Sequence, residues 1–173
     1  ALGLTAGQTP PCATPAATSI ALPWRQSGSM RMLVHPGAGA GAKCWAADGF
    51  RRVADAWVAG GGEAVVLLGP AEEADGGWWH AGGYEPVTDL SIVEAAALIA
   101  SAPSWIGNDS GMSHLAGALG RRGAVLFGPT RPQRWRPLGG TLVTVEFLGR
   151  SVEAVTREVL TILRSVHTAR TAP

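Results

Sequence analysis

From Met30 onward, continuous apolar runs of strand length alternate with stretches of helical periodicity. Unbroken apolar runs are typical of parallel strands that are covered on both faces. They predict strands at 32–35, 64–68, 104–106, 124–127 and 142–145. Apolar residues at three- and four-residue spacing predict helices at 47–59, at 95–100 after a capping-box sequence, at about 110–119 and at 152–166.

This order of elements predicts the fold class, an α/β, Rossmann-like open parallel sheet flanked by helices. Residues 1–28 contain four prolines and no sustained periodicity, so we expect a linker or strap there. Residues 29–173 would then form one domain, because 173 residues are too few for two well-filled cores.

Composition narrows the possible functions. Charged residues make up 16% of the chain and the formal net charge is +1, which argues against a nucleic-acid binder. No apolar stretch has the length of a transmembrane segment, and no signal peptide is evident. Cys12 and Cys44 do not have the spacing of a disulfide framework or of metal ligands, so we expect a reducing cytoplasm as the location. We also expect no metal and no cofactor.

In an open parallel sheet, ligands bind beyond the carboxyl ends of the strands. This rule selects four loops, at 36–45, 69–75, 108–112 and 128–135.

The first loop, HPGAGAGAKCW, carries the features of a phosphate site. Gly37, Gly39 and Gly41 allow close approach of the backbone to a ligand, and Lys43, the one lysine beside thirteen arginines, adds three donors. It is not a Walker A loop, because Ala42 and Cys44 stand where that motif needs Gly and Ser or Thr. A flexible turn with an exposed lysine is the alternative.

The third loop, IGNDSGMSHLAGALG, predicts the amino end of a helix that Asp109 or Ser110 caps. Backbone N–H groups of 110–112 and the helix dipole suit a diphosphate, and Gly111 leaves room for it. His114, one turn into the helix, could point a ring N–H at the same place. An ordinary capped helix is the alternative.

The second loop, GPAEEAD, offers Glu72 or Glu73 for the hydroxyls of a ribose, and Glu72 is the preferred choice. The fourth loop gathers Arg131, Arg134 and Arg136 around Trp135. Those side chains could contact sugar or phosphate, or could face a partner domain.

Four segments between about Met32 and Pro137 resemble glycosyltransferase family 9, which includes the lipopolysaccharide heptosyltransferases. The segments are HPGAGAGAKCW, VVLLGPAE, DLSIVEAAALIASAPSWIGNDSGMSHLAGALG and VLFGPTRPQRWRP, of which D-S-G-x-x-H-L-A is the most specific. The resemblance implies that the chain is the carboxyl-terminal, nucleotide-sugar-binding half of a two-domain GT-B enzyme. The leader ALGLTAG looks like the segment that joins the two halves.

The resemblance also implies roles for individual residues. Lys43 and His114 would be the catalytic residues that stabilise the leaving group, and Leu90 would pack near the base. The residues implied to bind the nucleotide sugar are Gly37, Ala38, Gly39, Lys43, Glu72, Leu90, Asp109, Ser110, Gly111 and His114.

The implied activity is inverting, metal-independent transfer of a heptose-like sugar from a nucleoside diphosphate, such as ADP-heptose, to a saccharide or lipid-linked acceptor. The acceptor's base would come from the missing amino-terminal domain, and the location would be the cytoplasm or the inner face of the bacterial inner membrane. Two alternatives remain at this stage. One is a stand-alone nucleotide-binding or regulatory module, and the other is half of an NAD-dependent dehydrogenase that uses Gly37–Ala42 as its fingerprint.

Overall fold

A computed structural model of the protein describes residues 30–168, so the predicted linker at 1–28 lies outside the described residues. The described chain forms one sheet of five strands: β1 (Arg31–His35), β2 (Glu63–Val66), β3 (Ser104–Asn108), β4 (Arg122–Phe127) and β5 (Thr141–Glu146). The strand order is β2-β1-β3-β4-β5, and every neighbouring pair is parallel. The predicted open parallel sheet is therefore confirmed.

Six helices connect and cover the strands: α1 (Ala47–Ala59), α2 (Gly76–His80), α3 (Ile92–Ser101), α4 (Gly111–Ala118), α5 (Pro132–Trp135) and α6 (Val152–Thr168). Single 3-10 turns at Gly41–Lys43 and Glu73–Asp75 lie within the first and second loops. The sequence pattern did not predict α2 or α5. Helices of five and four residues are too short to show an apolar repeat.

The three central strands, β1, β3 and β4, bury both faces, because side chains alternate along each of them. Met32 and Val34 of β1 belong to the core on the side of α1 and α6, together with Ile106 and Leu126. Leu33, between them, belongs to the core on the side of α3 and α4. The continuous apolar runs of the sequence correspond to this two-sided burial.

The order of the strands places a topological switch point between β1 and β3. The chain leaves β1 toward α1 on one face and leaves β3 toward α4 on the other, so a crevice opens at their carboxyl ends. The first loop follows β1 and the third loop follows β3, and both therefore start at this crevice.

Gly123 of β4 pairs with Trp105 of β3 and has a φ of 139°. A Cβ at this position would overlap the backbone carbonyl of Trp105. We expect Gly123→Ala to lower the free energy of unfolding by about 2 kcal/mol or more, because backbone strain and overlap with backbone add. Urea denaturation measures the change.

Gly76→Ala is the matched control for this substitution. Gly76 has helical φ and ψ of −51° and −45°, and a Cβ there would have no atom within 4 Å. We expect this variant to be as stable as the wild type or slightly more stable. An equally small effect at Gly123 would contradict the packing of β3 against β4 described above.

Candidate functional site

Asn108, the last residue of β3, ties the first loop to the start of the third. Its side chain is fully buried. The amide Nδ2 donates to the carbonyl of Pro36 at 2.6 Å, and Oδ1 accepts from the backbone N–H of Trp45 at 3.0 Å. Both ends of the 36–45 loop are thus attached to one buried amide. The sequence singled out no role for Asn108.

Three loops meet at a single oxygen atom of Asp109. Lys43 Nζ lies 2.9 Å from Asp109 Oδ2, and the hydroxyl of Thr130 donates to the same oxygen at 2.7 Å. The Asp109 side chain is 5% exposed, whereas that of Lys43 is 33% exposed. The first, third and fourth loops are therefore joined by one nearly buried carboxylate. Thr130 was not among the predicted site residues.

Helix α4 begins at Gly111, and Ser110 is its N-cap. The Ser110 side chain accepts from the backbone N–H of Ser113 at 3.4 Å, whereas the Asp109 carboxylate is engaged by Lys43 and Thr130. Two residues were predicted as possible caps of this helix. Ser110 is the cap, and the prediction of Asp109 is wrong because its carboxylate faces the neighbouring loops.

Lys43 and the amino end of α4 consequently lie side by side. Asp109, which holds the ammonium group, directly precedes the N-cap. A Cβ built on Gly111 would have no atom within 4 Å, so the surface above this helix end is open. An ammonium group has three donors, and Asp109 accepts one of them. The remaining donors and the helix N–H groups form a positive corner suited to an anion.

Glu72 brings the second loop to the first. Its Oε2 accepts from the backbone N–H of Gly69 at 3.1 Å. Its carboxyl group lies so close to Gly37 that any side chain at that position would overlap it. A side chain at position 37 would therefore displace the Glu72 carboxyl group from its present place. Gly39, by contrast, has nothing within 4 Å of a built Cβ, so packing inside the protein does not require it.

Leu90 lines a cleft of about 280 Å³ between the end of β2 and the start of α4. The other residues that line it are His35, Leu67, Leu68, Gly69, Pro70, Asp89, Ile92, Ala95 and Met112. The lining is mostly apolar. Gly69 lines this cleft and also donates to Glu72, so the cleft lies next to the second loop.

The other predicted residues lie around this centre. Ala38 is half-buried in the first loop. His114 lies in α4 and is exposed, and its backbone N–H donates to Ser110. Arg131, Arg134 and Trp135 line an open surface cleft together with Thr130. The fourth loop is therefore adjacent to Asp109 and exposes its basic side chains to solvent.

His35, at the carboxyl end of β1, is a buried ionisable group in the wall of the cleft and is 5% exposed. Burial lowers the pKa of its imidazole below 6.5, and the hydrogen bond to Leu67 and the nearby Glu72 offset this in part. Burial also raises the pKa of the Cys44 thiol, to which Glu72 adds. Cys44 is therefore a neutral thiol at physiological pH.

Within residues 30–166, no three His, Cys, Asp or Glu side chains are grouped as metal ligands would be. None of the helices in the described part of the chain combines the length and the apolar character needed to cross a bilayer.

A five-stranded parallel sheet with glycine-rich loops gathered at its carboxyl edge defines the class of Rossmann-like α/β domains. Residues 14–157 match the family model "Glycosyltransferase family 9 (heptosyltransferase)", and the chain belongs to that family. No curated protein sequence matches the chain.

Solved structures share the fold. The chain is similar to E. coli ADP-heptose lps heptosyltransferase II, with 22% identity and a TM-score of 0.72, over 82% of this chain and 47% of that one. It is similar to E. coli heptosyltransferase WaaC with ADP, with 20% identity and a TM-score of 0.72, over 82% and 45%. It is also similar to a glycosyl transferase family 9 structure from Veillonella parvula, with 19% identity and a TM-score of 0.70, over 81% of this chain and 47% of that one. The matched part of the chain thus covers less than half of each of these proteins.

The environment of His35 predicts a dependence of stability on pH. The folded state resists protonation of this ring, whereas the unfolded chain takes up the proton near pH 6.5. The unfolded state therefore binds more protons below that pH, and the free energy of unfolding should fall as the pH is lowered through about 6.5 to 5.5. NMR titration of the His35 ring tests the cause. A His35 pKa at or above 6.5 would contradict it.

Proposed function

We propose that this chain is the donor-binding half of an inverting glycosyltransferase, which transfers a heptose-like sugar from a nucleoside diphosphate to a saccharide or lipopolysaccharide acceptor. The single observation that carries the proposal is the position of Lys43. Its ammonium group is held 2.9 Å from Asp109, beside the N-terminus of α4 and next to the open surface at Gly111. Membership of glycosyltransferase family 9 makes a diphosphate the expected anion at this corner.

The diphosphate is the leaving group of the proposed reaction. An acceptor hydroxyl attacks the anomeric carbon, the bond between that carbon and the diphosphate oxygen breaks, and negative charge grows on the diphosphate. Lys43 and the backbone N–H groups of Gly111 and Met112 stabilise that charge, because preorganised donors are most effective where charge develops. His114, one turn along α4, is the further donor in this proposal.

Two neighbouring features suit the rest of the nucleotide. Glu72 is anchored by Gly69 and lies against Gly37, and it can accept hydrogen bonds from ribose hydroxyls. The cleft lined by Leu90 and Met112 is of suitable polarity for a base. Ala38 and Gly39 lie between Gly37 and Lys43, where their backbone can approach the phosphates.

The proton of the acceptor hydroxyl needs a base that we propose to be supplied by another domain. The matched part of the chain covers 47% and 45% of two heptosyltransferases of E. coli, one of them with ADP. The acceptor, the amino-terminal domain that would complete the site, and a place at the inner face of the bacterial inner membrane all belong to this proposal.

The role of Lys43 can be tested by binding. We expect Lys43→Ala to weaken binding of ADP by about 1.5 to 3 kcal/mol, the range for a hydrogen bond to a charged group. Isothermal titration calorimetry with ADP, UDP and NAD measures the affinities of the wild type and the variant. If the dehydrogenase alternative is wrong, the affinity for NAD should change the least of the three between the wild type and Lys43→Ala.

Arg52→Ala is the matched control, because it removes the same charge from the middle of α1. Arg52 is exposed and pairs with Asp48 and Glu153, away from the four loops. It should leave ADP affinity unchanged. Equal ADP affinity in the wild type and Lys43→Ala would remove Lys43 from the site and the proposal with it.

A second test concerns turnover. Since we propose that another domain supplies the base for the acceptor, we expect the chain alone to bind ADP-heptose and yet to transfer negligible sugar to a lipopolysaccharide acceptor, as judged by ADP release. Addition of an amino-terminal domain from a family 9 protein should raise the rate. Full transfer by the chain alone would contradict the proposal that another domain supplies the base. Binding of ADP-heptose with no rescue of transfer by any such domain would favour a stand-alone nucleotide-binding module.

A further inference from the structure

The fourth loop carries a basic and aromatic surface to which the proposed function gives no role. A cleft of about 660 Å³ lies there, which we call the fourth-loop cleft. Its lining consists of Pro129, Thr130, Arg131, Gln133, Arg134 and Trp135. Two of these residues are cationic, one is aromatic and none is acidic. The fourth-loop cleft therefore suits a ligand that combines negative charge with a flat apolar face.

The short helix α5 presents the two arginines and the tryptophan together. Arg131 is its N-cap, and Arg134 and Trp135 follow three and four positions later, so their side chains lie on one face of the turn. The backbone N–H groups of Arg134 and Trp135 donate to the carbonyl of Arg131 at 3.0 and 3.1 Å and close this turn. Just beyond α5, buried Pro137 lies so close to Gly117 of α4 that a Cβ there would overlap it. The helix is thus fixed against the rest of the domain.

The two guanidinium groups are available to a ligand. Arg131 and Arg134 are exposed, and neither is paired with a carboxylate in the part of the chain that the structure describes. By contrast, the side chains of Arg52 and Arg150 are each paired with a glutamate of α6. The Trp135 side chain is 51% exposed. Charged and aromatic groups that the protein itself does not use therefore lie side by side in one cleft.

The fourth-loop cleft begins beside the corner at which the diphosphate is proposed to bind. Thr130 lines the cleft, and its hydroxyl donates to Asp109 Oδ2 at 2.7 Å. The same carboxylate oxygen lies 2.9 Å from the ammonium group of Lys43. In the proposed reaction, the acceptor hydroxyl must reach the carbon from which this diphosphate departs. A saccharide in the cleft would therefore have one end close to the reacting atoms.

We propose that the fourth-loop cleft holds part of the acceptor, with Arg131 and Arg134 bound to a carboxylate or phosphate group on the acceptor saccharide and Trp135 packed on the apolar face of a sugar ring. This inference rests on the proposed function, because it assumes that the acceptor meets a donor whose diphosphate lies at Lys43. It gives this half of the enzyme a part in acceptor recognition as well as in donor binding.

Electrostatics explains why arginines are needed at this place. An acceptor with a negative group must approach a diphosphate, and two anions repel each other at short distance. The ammonium group of Lys43 is already shared with Asp109. Two unpaired guanidinium groups on the acceptor side reduce the repulsion, and the planar fork of each can bind a carboxylate or a phosphate through two hydrogen bonds. The cleft should therefore select charged saccharides over neutral ones of the same size.

The test titrates the chain, in the presence of saturating ADP, with two charged disaccharides and a neutral one. Digalacturonate carries carboxylates, lactose 1-phosphate carries a phosphate, and lactose carries neither. In NMR spectra, the indole N–H resonance of Trp135 and the Nε–H resonances of Arg131 and Arg134 should move with at least one charged probe. We expect that probe to bind about fivefold more tightly than lactose at low salt, as two exposed ion pairs would provide. The charged probe that binds identifies the anionic group that the cleft accepts.

The double variant Arg131→Gln/Arg134→Gln should lose this preference and still bind ADP as the wild type does. Arg52→Gln/Arg157→Gln is the matched control, because it removes two charges from exposed positions on α1 and α6. The control should keep the preference. An equal loss in both double variants would be an effect of net charge alone and would overturn the inference. A parallel loss of ADP affinity in Arg131→Gln/Arg134→Gln would also overturn it, because the arginines would then belong to the donor's diphosphate.

The remaining outcomes separate this inference from the proposed function. If ADP binds but neither charged disaccharide binds more tightly than lactose, the inference is overturned and the proposed function is left intact. The same conclusion follows if the preference survives in Arg131→Gln/Arg134→Gln, which would leave the arginines to contact a second domain. If ADP does not bind to the folded chain, both fail.

Discussion

The arrangement of the first, third and fourth loops depends on the carboxylate of Asp109. A charge that is 5% exposed is costly to bury unless it is paired, and Lys43 and Thr130 together satisfy the same oxygen. These two residues are 66 and 21 positions away along the chain. The contact therefore joins loops that are far apart in the sequence. It also fixes the position of Lys43, the one lysine of the sequence.

Buried groups beneath the loops support that contact. Asn108 holds both ends of the first loop, and the absence of a side chain at Gly37 lets Glu72 pack against the same loop. Asn108 belongs to β3, so its position is fixed by the ladders with β1 and β4. A few polar side chains thus anchor the loops to the sheet. A preorganised anion site requires loops that are held in place in this way.

The sequence was sufficient to predict the sheet, because continuous apolar runs reflect burial on both faces, and this condition is local. It also predicted which loops meet, because parallel strands bring their carboxyl ends to one edge. It did not predict the partners of Asn108, which are 63 and 72 residues away. Nor did it settle the cap of α4, since the choice between Asp109 and Ser110 depends on Lys43 and Thr130, which only the folded structure brings close. The sequence predicted His35 only as the end of a strand, because its burial depends on the packing of Leu67 and Trp105 around it.

The charge balance of the loops bears on how tightly a diphosphate could be held. Lys43 supplies one positive charge near the crevice, whereas Asp109 and Glu72 supply two negative ones, so the fixed side chains alone do not favour an anion there. The helix N–H groups at α4 must then provide much of the attraction, at the fraction of a charge that a helix end represents. Arg131 and Arg134 are the nearest additional source, since they line the surface cleft that includes Thr130. They remain exposed, and exposed charges contribute little until another surface or ligand excludes water from them. This balance agrees with the proposal that a second domain completes the site over the same loops.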